Sequence, residues 1–93
     1  FAPIVGHVGD GNFHTLPIAL PDDVEAWKRI QSFVERLSER AIAMDGTCTG
    51  EHGIGQGKIK YLRQEMGPAI DMMIAVKKAL DPNDILNPGK LFN

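Results

Sequence analysis

Two of the three histidines and three of the ten glycines stand within the nine residues Gly6-His7-Val8-Gly9-Asp10-Gly11-Asn12-Phe13-His14. A neutral imidazole ligates divalent metals and titrates near physiological pH, so such a pair suggests a cation site, proton transfer, or both. Asp-Gly between β-prone runs is a hairpin signal, because a two-residue type I′ turn needs φ > 0 at both central positions. A turn at Asp10-Gly11 predicts the register: Gly9 faces Asn12, Val8 faces Phe13, and His7 faces His14. Directly opposed Cβ atoms lie roughly 4.5–5.5 Å apart, close enough for both rings to reach one ion. The plain alternative is a pair of partly exposed histidines on a surface hairpin.

A second pair, Glu51-His52, lies in a glycine-rich loop over 46–57. Two histidines and a distant carboxylate make a three-ligand site with an open position, as in catalytic zinc, and manganese or iron suits the same donors. Adjacent residues of an extended loop point opposite ways, which leaves His52 off the ion and available as a base for a substrate hydroxyl. A solvated loop pair is the competing reading. Gly53-Ile54-Gly55-Gln56-Gly57-Lys58 is not a phosphate loop, because His52 and Ile59 stand where that motif needs Gly and Ser or Thr. The dinucleotide motif fails too, with Lys58 in place of its third glycine. Cys48 carries no mark of activation and reads as a small packed thiol.

The elements that must hold these residues follow from periodicity. Phe1 to Val5 and Phe13 to Leu20 read as strands, with Pro17 placing the second at an edge or bulge. Asp22 suits an N-cap with Glu25 three residues on. Val24, Trp27, Ile30, Val34, Leu37, Ala41 and Met44 then form one apolar face that ends at Gly46. This helix is expected to cover the sheet face opposite the histidines. Lys58 to Met66 predicts a short helix with Ile59, Leu62 and Met66 inward. Pro68 opens another, with Ala69, Met73, Val76 and Leu80 as its buried stripe. The fold class is α+β: an antiparallel hairpin or sheet, one long helix and two shorter C-terminal helices.

Ninety-three residues make one small domain at most. The chain opens at Phe1 on a strand without a preceding partner, so the expectation is that 1–93 is part of a larger domain. A net charge of −2 without a basic stripe argues against nucleic acid. No apolar run approaches the roughly 18 residues of a membrane span, and no signal-peptide pattern is present. One cysteine excludes an internal disulfide.

Three segments in order carry a family resemblance: Gly6 to His14, Gly46-Thr-Cys-Thr-Gly-Glu-His-Gly-Ile-Gly55, and Leu80-Asp-Pro-Asn-Asp-Ile-Leu-Asn-Pro-Gly-Lys90. Together they resemble the C-terminal domain of the FAD-linked oxidases, closest to the cytochrome-type D-lactate dehydrogenases and the glycolate oxidase D subunit. The resemblance implies a cap domain carrying substrate and metal residues beside a separate flavin-binding domain. It implies that His7, His14 and Glu51 hold a divalent metal, Zn or Mn, and that His52 takes the hydroxyl proton while the C2 hydride passes to FAD. Asn87 would lie near the flavin. Leu16 stands where the related 2-hydroxyglutarate enzymes carry an asparagine, which implies a shorter acid such as lactate or glycolate. An electron acceptor such as cytochrome c or quinone, and a mitochondrial or bacterial cytoplasmic setting, are implied likewise. The isolated piece is expected to be inactive and to self-associate through apolar surface. A metal-dependent hydrolase using the same donors and a non-catalytic cap or interaction module remain as alternatives.

Overall fold

The computed structural model describes residues 1–92 and has the expected α+β character, with three helices and a two-stranded antiparallel sheet. The chain divides into two compact units, residues 1–52 and 53–93.

In the first unit, β1 (Ile4–Val5) pairs with β2 (His14–Thr15), with Ile4 opposite Thr15 and Val5 opposite His14. The same register continues outward. The N–H of Leu16 donates to Pro3 C=O at 2.9 Å and that of Ile18 to Phe1 C=O at 3.1 Å. Pro17 falls between these donors, where a missing N–H costs no ladder bond.

This pairing corrects the predicted hairpin. His14 faces Val5, not His7, a shift of two residues. Residues 6–13 form a longer connection containing a 3-10 helix, Val8–Asp10. The physical reason lies at His7, whose carbonyl accepts from both Asp10 N–H (2.9 Å) and Asn12 N–H (3.2 Å) and so is unavailable for a cross-strand bond. Gly11 has φ 75° but Asp10 does not enter the positive-φ region, so the two-residue I′ condition is unmet. Gly6 makes the exit from β1 possible, because a Cβ there would stand 2.8 Å from Asn12 O and 2.9 Å from Phe13 Cα.

Helix α1 (Val24–Ala43) is capped by Asp23, not Asp22: Asp23 Oδ1 accepts from Ala26 N–H at 2.9 Å. Glu25 therefore does not complete a capping box and pairs instead with Lys28 at 3.0 Å. Trp27 Nε1 donates to Leu20 C=O at 2.9 Å, tying the helix start to the segment that follows β2. Ala26, Ile30 and Phe33 share a groove with Ala2 and Ile18, which is how the helix meets the sheet. The middle of the predicted stripe, Ile30, Val34, Leu37 and Ala41, is half-buried, whereas Val24, Trp27 and Met44 at its ends are exposed. The helix ends in a Schellman arrangement, with Asp45 at φ 60°, Asp45 N–H on Ile42 C=O and Gly46 N–H on Ala41 C=O.

In the second unit, α2 (Ile59–Met66) and α3 (Ala69–Leu80) pack together and bury Tyr61, Leu62 and Ile70. Gly67 at φ 54° separates them, and Pro68 occupies the N-cap position of α3. The buried stripe of α3 is rotated from the predicted one: Ile70 is buried and Met73, Ile74 and Lys77 are intermediate, while Val76 and Leu80 are exposed. Its orientation is fixed at the C-terminus by Asp81. That carboxylate accepts from Ile85 and Leu86 N–H, both at 2.9 Å, and pairs with Lys77, whose Nζ also donates to Leu86 C=O at 2.6 Å. Among the described residues no helix is long and apolar enough to cross a membrane.

Candidate functional site

Asn12 and His14 precede and begin β2, and the two-residue period of extended chain presents them on one face. The loop after α1 brings the other donors. Thr49 C=O accepts from His52 N–H at 3.1 Å and Gly50 turns at φ 57°, so Glu51 and His52 ride a tight turn, not an extended segment. The expectation that these neighbours diverge is corrected on that ground. One ligand atom from each of His14, Glu51 and His52 lies within 4.8 Å of the others.

Within the cluster, Glu51 Oε1 is 3.1 Å from His14 Nε2, and Glu51 Oε2 accepts from Asn12 Nδ2. The Asn12 bond is the leading reason the Glu51 carboxyl is held at about 2, below its ordinary 4.5; its own backbone N–H and His14 act in the same direction. Glu51 is thus an anion throughout the physiological range. The His14 and His52 rings stack with centroids 4.5 Å apart. Glu51 is half exposed and His52 exposed, so the donors are open to solvent and to a small ligand.

Two imidazoles and a carboxylate are borderline donors that suit Zn or Mn. Tetrahedral bonds of about 2.1 Å put ligand atoms roughly 3.4 Å apart, so the 3.1 Å His14–Glu51 separation fits a shared ion. His7 is outside this cluster; it caps the 3-10 helix and is exposed. Asn87, in the second unit, takes φ 49° and starts a turn in which Lys90 N–H donates to its carbonyl at 3.3 Å. Pro88 and Gly89 (φ 67°) are the second and third residues of that turn, the pattern of type II. Sequence reasoning missed Asn12 and Gly50. The signal for Asn12 was its two-residue spacing from His14.

Residues 2–91 match the family model described as FAD linked oxidases, C-terminal domain. The chain is 59% identical over 91 residues to the probable mitochondrial D-lactate dehydrogenase of Danio rerio, covering 97% of this chain and 18% of that protein. It is 49% identical over 90 residues to the mitochondrial D-lactate dehydrogenase [cytochrome] of Arabidopsis thaliana, covering 96% of this chain and 16% of that protein. Against the glycolate oxidase subunit GlcD of Bacillus subtilis (strain 168) the identity is 45% over 91 residues, 94% of this chain and 19% of that protein. No solved structure matches. The cluster and the turn at Asn87 therefore sit in a chain that belongs to the FAD-linked oxidase C-terminal domain family. It spans less than a fifth of the length of these curated relatives.

Proposed function

We propose that this chain is the substrate- and metal-binding cap of a flavoprotein dehydrogenase that oxidises a short D-2-hydroxy acid, lactate- or glycolate-like, to the 2-oxo acid. The observation that carries the reading is the convergence of His14, Glu51 and His52 in a member of this family. The D-lactate dehydrogenase and glycolate oxidase names of the relatives support the substrate class, as does Leu16 where a longer diacid would require a polar partner.

In this reading His14 and Glu51 hold a divalent ion, with His7 as third ligand by family resemblance. When bound, the ion neutralises the substrate carboxylate and lowers the hydroxyl pKa. FAD would be held mainly by another domain, with Asn87 contributing from this chain by family resemblance, and would supply the two-electron acceptor. His52 would take the hydroxyl proton, and FAD, when bound, would supply the acceptor for the C2 hydride, so that the substrate loses one proton and one hydride. The anionic Glu51, adjacent in the chain, stabilises the imidazolium that forms. A specific observation favours a second assignment: His52, not His7, lies within ligating distance of His14 and Glu51.

Re-oxidation of the reduced flavin by cytochrome c or a quinone, and a mitochondrial or bacterial cytoplasmic location, belong to the same proposal. The experiment is turnover of the full-length protein on a panel of D- and L-2-hydroxy acids, with metal analysis and a flavin absorption spectrum. D-Lactate or glycolate turnover with bound FAD and a stoichiometric divalent ion is expected. A colourless protein that hydrolyses esters or phosphates would replace this reading with the hydrolase one, and a colourless inert one with the non-catalytic cap.

A further inference from the structure

Asn12 stands out because its side chain is satisfied on one side only. A carboxylate has no proton to give, so the Glu51 oxygen fixes which end of the amide faces it: Nδ2 donates to Oε2. The other end, Oδ1, is then buried without a hydrogen-bond partner. An unpartnered buried acceptor is a cost to folding, so stability does not account for an asparagine here.

Three further contacts hold Asn12 in place. Its Oδ1 lies against Gly50, where an added Cβ would come within 2.7 Å of it and within 3.4 Å of His14 Cε1. Its backbone N–H donates to His7 C=O at 3.2 Å, and its own carbonyl abuts Gly6. The residue thus links the loop bearing His7, the strand bearing His14 and the turn bearing Glu51.

We propose that Asn12 is the positioning residue of the cation site and acts through Glu51: its amide pins one carboxylate oxygen and thereby aims the other at His14. Gly50 is its counterpart, the residue whose missing Cβ lets the amide seat. The inference rests on the metal-binding reading above. It predicts that Asn12 touches neither ion nor substrate and that its whole effect passes through one carboxylate.

The test is a double-mutant cycle in the full-length protein, comparing wild type, Asn12→Ala, Glu51→Ala and the double variant. It reads the affinity of metal-stripped protein for MnCl2 by calorimetry, together with kcat and KM for D-lactate. Asn12→Ala should weaken Mn2+ binding about 10–100-fold, the range for groups that orient ligands, with kcat recovering at excess Mn2+ and KM little changed. In the Glu51→Ala background, where no acceptor remains for the Asn12 amide, the same substitution should cost nothing further. Gly50→Ala, which leaves Asn12 intact but blocks its seat, should reproduce the Asn12→Ala loss. Equal losses from Asn12→Ala in both backgrounds overturn the proposal, because Asn12 would then act independently of Glu51. Should wild type bind no Mn2+, the metal reading fails by itself, and the cycle in kcat still decides Asn12: non-additive losses sustain its role and additive ones end it.

Discussion

The imidazoles of His14 and His52 stack face to face, with ring centroids 4.5 Å apart and planes 11° from parallel. Strand β2 and the loop after α1 are far apart in sequence, so this contact, with the Glu51 bonds to Asn12 and His14, fixes the loop against the sheet. Aromatic stacking contributes about 0.5–1.5 kcal/mol beyond area burial. His52→Phe should therefore keep the loop seated, whereas His52→Ala should loosen it. Amide exchange at residues 49–52 of the full-length protein is expected to quicken in His52→Ala and to change little in His52→Phe. Equal quickening in both would mean that the stack does not order the loop.

The start of α1 offers a comparison between two adjacent aspartates. Asp23 Oδ1 accepts from Ala26 N–H, and no such bond is made by Asp22. Loss of an N-cap costs about 0.5–2 kcal/mol. Asp23→Ala should lower the protection of the first-turn amides of α1 by that amount, while Asp22→Ala should leave it within a few tenths of a kcal/mol. The reverse order would restore the capping box with Glu25 that the sequence suggested.

These two regions also mark what could be read in advance. The three helices are legible because their signals are local: apolar spacing in α1, the Gly67-Pro68 break, and Asp81-Pro82 after α3. The hairpin misled because Asp10-Gly11 satisfies the turn pattern, yet its outcome depends on Gly6 and on the doubly accepting His7 carbonyl, a contact that periodicity does not encode. His14, Glu51 and His52 were legible as chemistry, but their convergence depends on the Gly50 turn, which an extended-loop assumption omits. The stripe of α3 rotated because Asp81 draws Lys77 to the packed side, a polar contact invisible to a hydrophobic pattern.

Asp81 carries a pH prediction. The adjacent Lys77 ammonium and the Ile85 and Leu86 N–H groups hold its carboxyl at about 2, against an ordinary 3.8, and the Asp81 carboxylate, with Asp84, raises Lys77 in turn. A carboxyl depressed in the folded state contributes stability that is present above its unfolded value and lost as pH falls through the folded one. Asp81→Asn removes the charge and turns an amide donor toward donors. The melting temperature of the full-length variant should therefore lie below wild type at neutral pH, with the gap closing between pH 3.8 and about 2. A gap independent of pH across that window would show that the carboxylate charge plays no part in holding the Asn87 turn.

The roles proposed for the three histidines are open to a direct test in the full-length protein. His14 is paired with Glu51, so His14→Ala should lower metal content and turnover together, with excess metal restoring part of both. His52→Asn should keep the ion and the flavin while turnover falls about 10²–10⁴-fold, the usual loss for a general base. If His52 takes the substrate hydroxyl proton as proposed, raising the pH should partly restore His52→Asn and leave His14→Ala unchanged. His7→Ala discriminates between the two ligand sets. If His7 is the third ligand, it should lose metal as His14→Ala does. The structure sets the opposing case, since His52 and not His7 stands within 4.8 Å of the other donors. Metal loss in His52→Asn with retention in His7→Ala would make His52 the ligand, and the base would then have to be sought elsewhere in the protein.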